Sequence, residues 1–412
     1  MKKNILLTLG FFVAASLTVS KPCNAAFVIG GENGWQLSTD GIVDVFSTYN
    51  TTTPLPSGPR AVSLLGGAEG SHDQRFGVGV GLLPSVIAFN VKAPTTNGVD
   101  SSVRVGIYPN IQNKSGTRFD TSPNIDFREF FYTAKGAYGE LLAGRALNLY
   151  QGKNILNDMT LLTSGTIPGS AFRGGTTLGH IGYGYLYTNF GPQIRYTTPD
   201  LAGVKVALEI AEPYKISGDT GKTNSPRIET EVSYAGKIGA ATAQAWLSGL
   251  YQTAPRSDAA AARPGKDNQS IGGAYGASVG VSGLSLMGSG YVGKGLGMLS
   301  AQDGDIFGAG SSSTDANGKE RIHWGYLLQA TYQLTPSFKL GANYGQSRQE
   351  INNNEPAGPS IMRNQESGVF MLSYNLNKFT QFVGEYIYAQ NTWMDGKKQH
   401  SNQFALGTMF YW

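Results

Sequence analysis

The sequence predicts an all-β protein, a 16-stranded antiparallel transmembrane β-barrel, and three observations carry that prediction. Segments of about ten residues alternate apolar and polar side chains with a period of two. Short turns and long polar links follow one another without a break along the chain. The last alternating segment runs to the carboxyl terminus itself, with Phe404, Leu406, Thr408, Phe410 and Trp412 on one face.

From the amino terminus, a charged start (Met1-Lys2-Lys3), an apolar run from Ile5 to Val19 and the small-residue stretch Cys23-Asn24-Ala25-Ala26 read as a secretory signal peptide. Cleavage after Ala25 leaves a signal over residues 1–25 and one domain over 26–412. The residues before Cys23, Ser20-Lys21-Pro22, do not suit a lipidated amino terminus. Removing the signal takes away Lys2, Lys3 and Lys21, which leaves 29 bases against 28 acids. So even a balance argues against nucleic acid, which calls for a basic face. Cys23 is the sole cysteine, so the mature chain has neither disulfide nor thiolate site. No run after the signal approaches the roughly 18 apolar residues of a spanning helix. Glycine, at 56 of 412 residues, is about twice its usual share of roughly 7%, and with 21 Tyr and 19 Phe it describes many twisted strands with aromatic ends.

In chain order the strands fall at 35–49, 76–93, 99–108, 125–135, 140–148, 190–198, 204–211, 227–235, 240–252, 270–281, 284–293, 320–333, 338–348, 366–374, 379–392 and 401–412. Within 99–108, Arg104 alternates with Val103, Val105 and Ile107, which turns it inward. Segment 125–135 is the least regular, with Phe127 and Phe131 on one face and Phe130 and Tyr132 on the other; contact with a neighbouring subunit or with an inward loop would explain two apolar faces. Segment 204–211 is the cleanest: Val204, Val206, Leu208 and Ile210 face one way, Lys205 and Glu209 the other. In 320–333 and 338–348 the apolar face carries Trp324, Tyr326, Tyr332, Phe338 and Tyr344, and in 366–374 and 379–392 it carries Phe370, Tyr374, Phe382, Tyr386 and Tyr388. Aromatics recurring on the apolar face fit interfacial girdles better than a packed core.

Short turns stand at Pro94 to Gly98, Gly136 to Gly139, Pro199 to Gly203, Gly236 to Gly239, Ser282-Gly283, Thr335-Pro336 and Asn375 to Lys378. Long polar links fall between them at 50–75, 109–124, 149–189, 212–226, 253–268, 294–319, 350–364 and 393–400. Short periplasmic turns alternating with longer outer loops are what an even-numbered barrel requires.

The terminal strand resembles that of the Gram-negative general porins, which the barrel-assembly machinery reads by its aromatic end; Trp412 stands where that family usually has Phe. Tyr138-Gly139-Glu140-Leu141-Leu142-Ala143-Gly144-Arg145 is similar to the family's strand leading into its third loop, and Ile194-Arg195-Tyr196-Thr197-Thr198-Pro199 with Leu201-Ala202-Gly203 to the next hairpin. Thr331-Tyr332-Gln333-Leu334 and Ser373-Tyr374-Asn375-Leu376 resemble its late tyrosine-turn hairpins. The resemblance implies an outer-membrane homotrimer in contact with lipid and lipopolysaccharide, each barrel passing small hydrophilic solutes or anions by passive diffusion. It also implies a third extracellular loop, here 149–189, folded inward to narrow the pore.

In that family a ladder of bases on the wall faces acids on the loop. Carried over residue by residue, the resemblance implies wall roles for Arg128, Arg145 and Arg195, to which alternation adds the inward Arg104; an earlier wall position falls near Ala88, with Asn90 and Lys92 close by. The loop departs from the pattern. Between Glu140 and Asp200 its one acid is Asp158, beside Lys153, Arg173 and His180. Bases in excess of acids at a constriction favour anions, which predicts an anion-preferring pore, or alternatively a channel selective for small organic anions. For each residue a plainer role competes: Arg145 as a tie between loop and wall, Asp158 as a turn residue beside Asn157, and Lys153, Arg173 and His180 as solvated loop residues.

No enzyme or cofactor site is predicted. Gly276-Ala277-Ser278-Val279-Gly280 has the spacing of a hydrolase nucleophile, but it lies in an alternating strand with no helix after it. Gly288-Ser289-Gly290-Tyr291-Val292-Gly293 has a dinucleotide-type glycine spacing and also lacks its helix. The four histidines, 72, 180, 323 and 400, are dispersed, so a hydrolase built on His323 or Ser278 is the weakest alternative, and no metal spacing occurs.

Overall fold

Period-two alternation becomes strand where the two faces of a sheet meet different surroundings. In the computed structural model this holds along most of the chain, and the structure describes residues 27–111, 125–169, 176–214, 223–255, 267–302, 313–315, 317–353 and 355–412. The segment expected as a signal lies outside them.

Strand β1 is Phe27–Gly30, β2 Gln36–Thr52, β3 Asp73–Gly79, β4 Val86–Lys92, β5 Asp100–Pro109, β6 Ile125–Gly136, β7 Gly139–Leu147, β8 Phe190–Thr197 and β9 Val204–Ala211. The rest are β10 Arg227–Ile238, β11 Ala241–Pro255, β12 Asp267–Val281, β13 Leu284–Lys294, β14 Ile322–Gln333, β15 Phe338–Glu350, β16 Met362–Asn375, β17 Thr380–Trp393 and β18 Lys398–Tyr411. Neighbours pair antiparallel around a ring, and β18 against β2 brings the two ends of the chain together. Two of these strands add no wall position. Strand β1 continues the line of β18, pairing with Leu37–Thr39 of β2 below the point where β18 ends, and β3 and β4 are halves of one strand beside β2. The wall therefore has sixteen positions, closed so that no sheet edge meets lipid.

The exposed and buried rows are the reverse of a water-soluble sheet. On β9, Val206, Leu208 and Ile210 are 41%, 49% and 50% exposed, while Ala207, Glu209 and Ala211 between them are buried. On β18 the exposed row is Phe404, Leu406 and Phe410, and the buried row includes Ser401, Gln403 and Met409. An apolar outer face with carboxylates and amides inside is stable only where the outside is hydrocarbon.

Three departures from the alternation have local causes. The strand expected at 76–93 breaks over Val80–Ser85, where Asp44 takes the Gly81 N–H at 2.6 Å and the Ser85 hydroxyl at 2.8 Å. That bend lets Leu82 and Leu83 donate their amides to the carbonyls of Thr163 and Leu161. A Cβ at Gly81 would stand 2.4 Å from the Thr163 oxygen, so glycine is required there. The irregularity at 125–135 is a β-bulge opposite Gly106–Tyr108. It leaves Phe127, Phe130 and Tyr132 exposed, and Phe131 turned in against Leu142 and Ala146. Finally, the expected long link at 393–400 is a tight turn, because β17 and β18 remain paired as far as Thr392 and Lys398. Several strands likewise outrun their expected outer ends, as β12 does by starting at Asp267. Polar side chains occupy both faces there, which hides the alternation while the ladder continues.

Candidate functional site

The third long link, in its described residues 148–169 and 176–189, is bound to the lumenal face of the wall. It begins with a left-handed Gln151, fully buried, whose side-chain oxygen accepts the Leu186 amide at 2.8 Å, and a short helix α1, Gly152–Leu156. Trp246 of β11 donates its indole N–H to Asn154 at 2.8 Å. Gln329 of β14 accepts the Met159 amide at 2.6 Å and donates to the Asn157 carbonyl at 3.1 Å. Gln403 of β18 exchanges two 2.8 Å bonds with Ile167. His180 is fully buried, not a solvated loop residue, and bonds Asn343 of β15 at 2.8 Å; Tyr183 donates to Asn391 of β17, and Gln365 of β16 donates to the Gly182 carbonyl. These wall residues all lie in the buried rows, so the link crosses inside the ring.

Asp158 is the organising acid of this segment. It is 3% exposed and accepts from the Thr160 amide at 2.9 Å, the Thr160 hydroxyl at 2.6 Å, the Tyr185 hydroxyl at 2.7 Å and the Asn343 amide at 3.3 Å. Burial first, and then the Asp158 carboxylate, push the Tyr185 phenol well above its usual range. A charge so enclosed holds the loop's shape; water in the passage does not reach it.

The bases occupy different settings. Arg104 is held between acids, its guanidinium 2.9 Å from Asp40 and 2.8 Å from Glu129, with Asn90 bridging by donating to Asp40 and accepting from Arg104. Arg195 donates to the carbonyl of Leu147, where the link begins, and stands 4.0 Å from Glu209. Arg128 pairs with Asp126 at 2.7 Å and lies over the rings of Tyr108 and Phe190. Arg145 is exposed and has no ion pair among the described residues. Burial holds the Tyr187 phenol above its usual range, and the charges of Arg128 and Arg145 oppose it, which places both guanidinium groups near Tyr187. Lys153, on α1, is half-buried and within electrostatic reach of Glu231. Ala88 is buried against Val86 and Tyr108, and Lys92 faces Asp100 at 3.8 Å. Arg173 lies outside the described residues.

What residue types in the loop could not reveal is the wall's supply of carboxylates. Glu385 of β17 accepts the Thr163 hydroxyl at 2.7 Å and the amides of Ser164 and Gly165 at 2.9 and 3.3 Å. Glu229 of β10 accepts the Tyr150 amide and pairs with the fully buried Arg227, which also lies over Tyr214. Glu209 accepts from Asn148. The signal was present: Glu209 and Glu385 sit on the polar side of their alternating strands, but only a folded loop says what they bond. Ser278 and His323 are strand residues of β12 and β14, paired in regular ladders.

A closed barrel with a loop bound across its lumen defines a membrane channel. The model of the Gram-negative porins matches residues 12–393, and the chain belongs to that family, the outer-membrane channels for passive diffusion. Among solved structures the fold is similar to the outer-membrane channel DcaP of Acinetobacter baumannii, at 15% identity and a TM-score of 0.65 over 94% of this chain and 100% of that one. It is also similar to an anion-selective porin from Comamonas acidovorans (17%, TM-score 0.61, 92% and 100%) and to Salmonella typhi OmpF in complex with daunomycin (13%, 0.54, 92% and 98%). No curated protein sequence matches the chain.

Proposed function

We propose that this porin passes small hydrophilic solutes and ions with a preference for anions. The observation that carries the reading is the unequal fate of lumenal charges. Asp44, Glu129, Asp158, Glu209, Glu229 and Glu385 are buried and spent as hydrogen-bond acceptors for the loop and its supports. Arg145 and Lys205 are exposed, and Lys153 and Lys339 partly so. Water-facing charge of one sign governs which ions enter a pore. The selectivity stated for the Comamonas acidovorans porin supports the same reading. A reversal potential measured across a planar bilayer in a KCl gradient tests it: a sign favouring chloride is expected, and a sign favouring potassium would refute it.

The same proposal takes residues 1–25 as an export signal removed on secretion, and the outward row Phe404, Leu406, Phe410 as the segment read by the barrel-assembly machinery in a lipopolysaccharide-containing membrane. Three such barrels would associate through the exposed aromatics of β3 to β6, among them Phe76, Phe89, Phe127 and Phe130. A trimer form is described for OmpT of Vibrio cholerae, a structural neighbour.

A further inference from the structure

Beneath the loop, on the side of the short turns, the wall of β11 to β15 encloses a recess of about 230 Å³. Its roof is the loop segment Asn157 to Met159, fixed there by the two bonds to Gln329. Its polar lining is Thr242, Gln244, Ser278, Ser285 and Thr331, all neutral hydrogen-bonding side chains, together with Lys339, and Met159 and Met287 supply apolar wall. No carboxylate lines the recess, and Lys339 has no ion pair among the described residues. Elsewhere in this lumen the bases Arg104, Arg195 and Arg227 each face an acid. An ammonium without a counter-ion in a partly enclosed cavity attracts an anion more strongly than one in open water.

We propose that this recess is a binding subsite for a small hydroxylated monocarboxylate, its carboxylate on Lys339 and its hydroxyls on the Ser, Thr and Gln side chains. One ammonium neutralises one carboxylate, and the neutral polar groups both donate and accept, which suits hydroxyls, while Met159 and Met287 border the same space for the carbon chain between them. The volume lies below the roughly 300 Å³ at which pockets for drug-sized ligands begin, so the occupant is small. A solute that has passed the loop meets this site before it leaves through the short-turn end, which is periplasmic in barrels of this kind. The inference rests on the channel reading and not on bulk anion preference.

The test uses the purified full-length channel in a planar bilayer, with potassium gluconate, potassium propionate or sorbitol added on the short-turn side of a chloride-carrying pore. Gluconate should depress the chloride current saturably, and propionate and sorbitol should do so far less. Lys339→Gln should raise the half-blocking gluconate concentration about tenfold, the usual scale for losing one charge-assisted contact. Lys339→Arg should restore most of the block. Unchanged heat-modifiable mobility in a gel shows that each variant is folded, and Ser278→Ala with Thr331→Val provides a second pair that leaves the charge in place and should weaken gluconate block alone. Equal block in wild type and Lys339→Gln, or equal block by propionate and gluconate, overturns the proposal. A potassium-favouring reversal potential with gluconate block intact would remove the anion preference and leave the subsite standing; chloride preference without gluconate block would do the reverse.

Discussion

Glu385, on the wall strand β17, holds the amide of Ser164 at 2.9 Å across 221 residues of sequence, and with the Thr163 hydroxyl and Gly165 amide on the same carboxylate it pins the middle of the loop to the wall. The anchor is buried, so its bonds are not exchanged for water. Glu385→Gln keeps the shape but sets an amide N–H against these donors. We expect a cost of about 1–3 kcal/mol, seen as a lower thermal midpoint, and more open-channel current noise as the loop loosens. Wild-type noise in the variant would show that the other anchors suffice.

Arg145 and Asp158 are expected to behave unlike each other. Arg145 is exposed, so Arg145→Glu should move the reversal potential toward cations. Asp158 is enclosed by Thr160, Tyr185 and Asn343. Asp158→Asn should move the potential less and destabilise the loop more, which thermal unfolding and current noise would report together. The opposite order of effects on selectivity would place the Asp158 charge in the ion path.

Arg104 sits between Asp40 and Glu129, with 14% of its side chain exposed. Removing one partner of such a buried arrangement leaves charge uncompensated, at a cost of about 3–5 kcal/mol. Arg104→Ala should therefore fold less efficiently than Arg104→Lys, measured by the heat-modifiable fraction after refolding. A second change, Glu129→Gln, should recover part of the loss. Failure of that rescue would mean that the guanidinium acts through packing.

Between outer loops, Arg60 holds Asp395 with bonds of 3.1 and 2.9 Å and lies over Trp393. The hydrogen bonds from Arg60 hold the Asp395 carboxyl below its usual range. A group lowered on folding contributes stability that is full above its unfolded value of about 3.9 and lost as pH falls through the folded value. The contact should thus persist at neutral and mildly acid pH and release only below the ordinary aspartate range. Trp393 fluorescence, taken as the difference between wild type and Asp395→Asn, should change in that window; a change between pH 5 and 7 would assign it to another group. With Asp395 exposed, the pair is worth at most about 1 kcal/mol.

Much of the wall was legible. The row Val206, Leu208, Ile210 against Lys205 and Glu209 is written within seven residues, and a strand's facing depends on little else. The turns at Ser282-Gly283 and Pro199 to Gly203 were legible for the same reason. Less legible were the outer strand ends, where both faces are polar, and the break at Val80–Ser85, which exists because Leu82 and Leu83 bond the loop. The candidate site was legible in its bases and not in its acids. Arg104, Arg128 and Arg195 could be placed on the wall one by one, but whether each base is neutralised depends on carboxylates from other strands.

By itself, then, the sequence determined a sixteen-position barrel with an apolar exterior and a long third link, because alternation and turn chemistry act over a few neighbouring residues. Only the tertiary structure decided which charges remain available to a solute. Glu229, Glu385 and Asp158 are committed to donors brought to them by closure of the ring and by the loop crossing it, while Arg145 and Lys339 have no ion pair among the described residues. Hydrogen-bond satisfaction of a buried carboxylate is a property of whatever folds against it, and no local pattern in the chain records that partner.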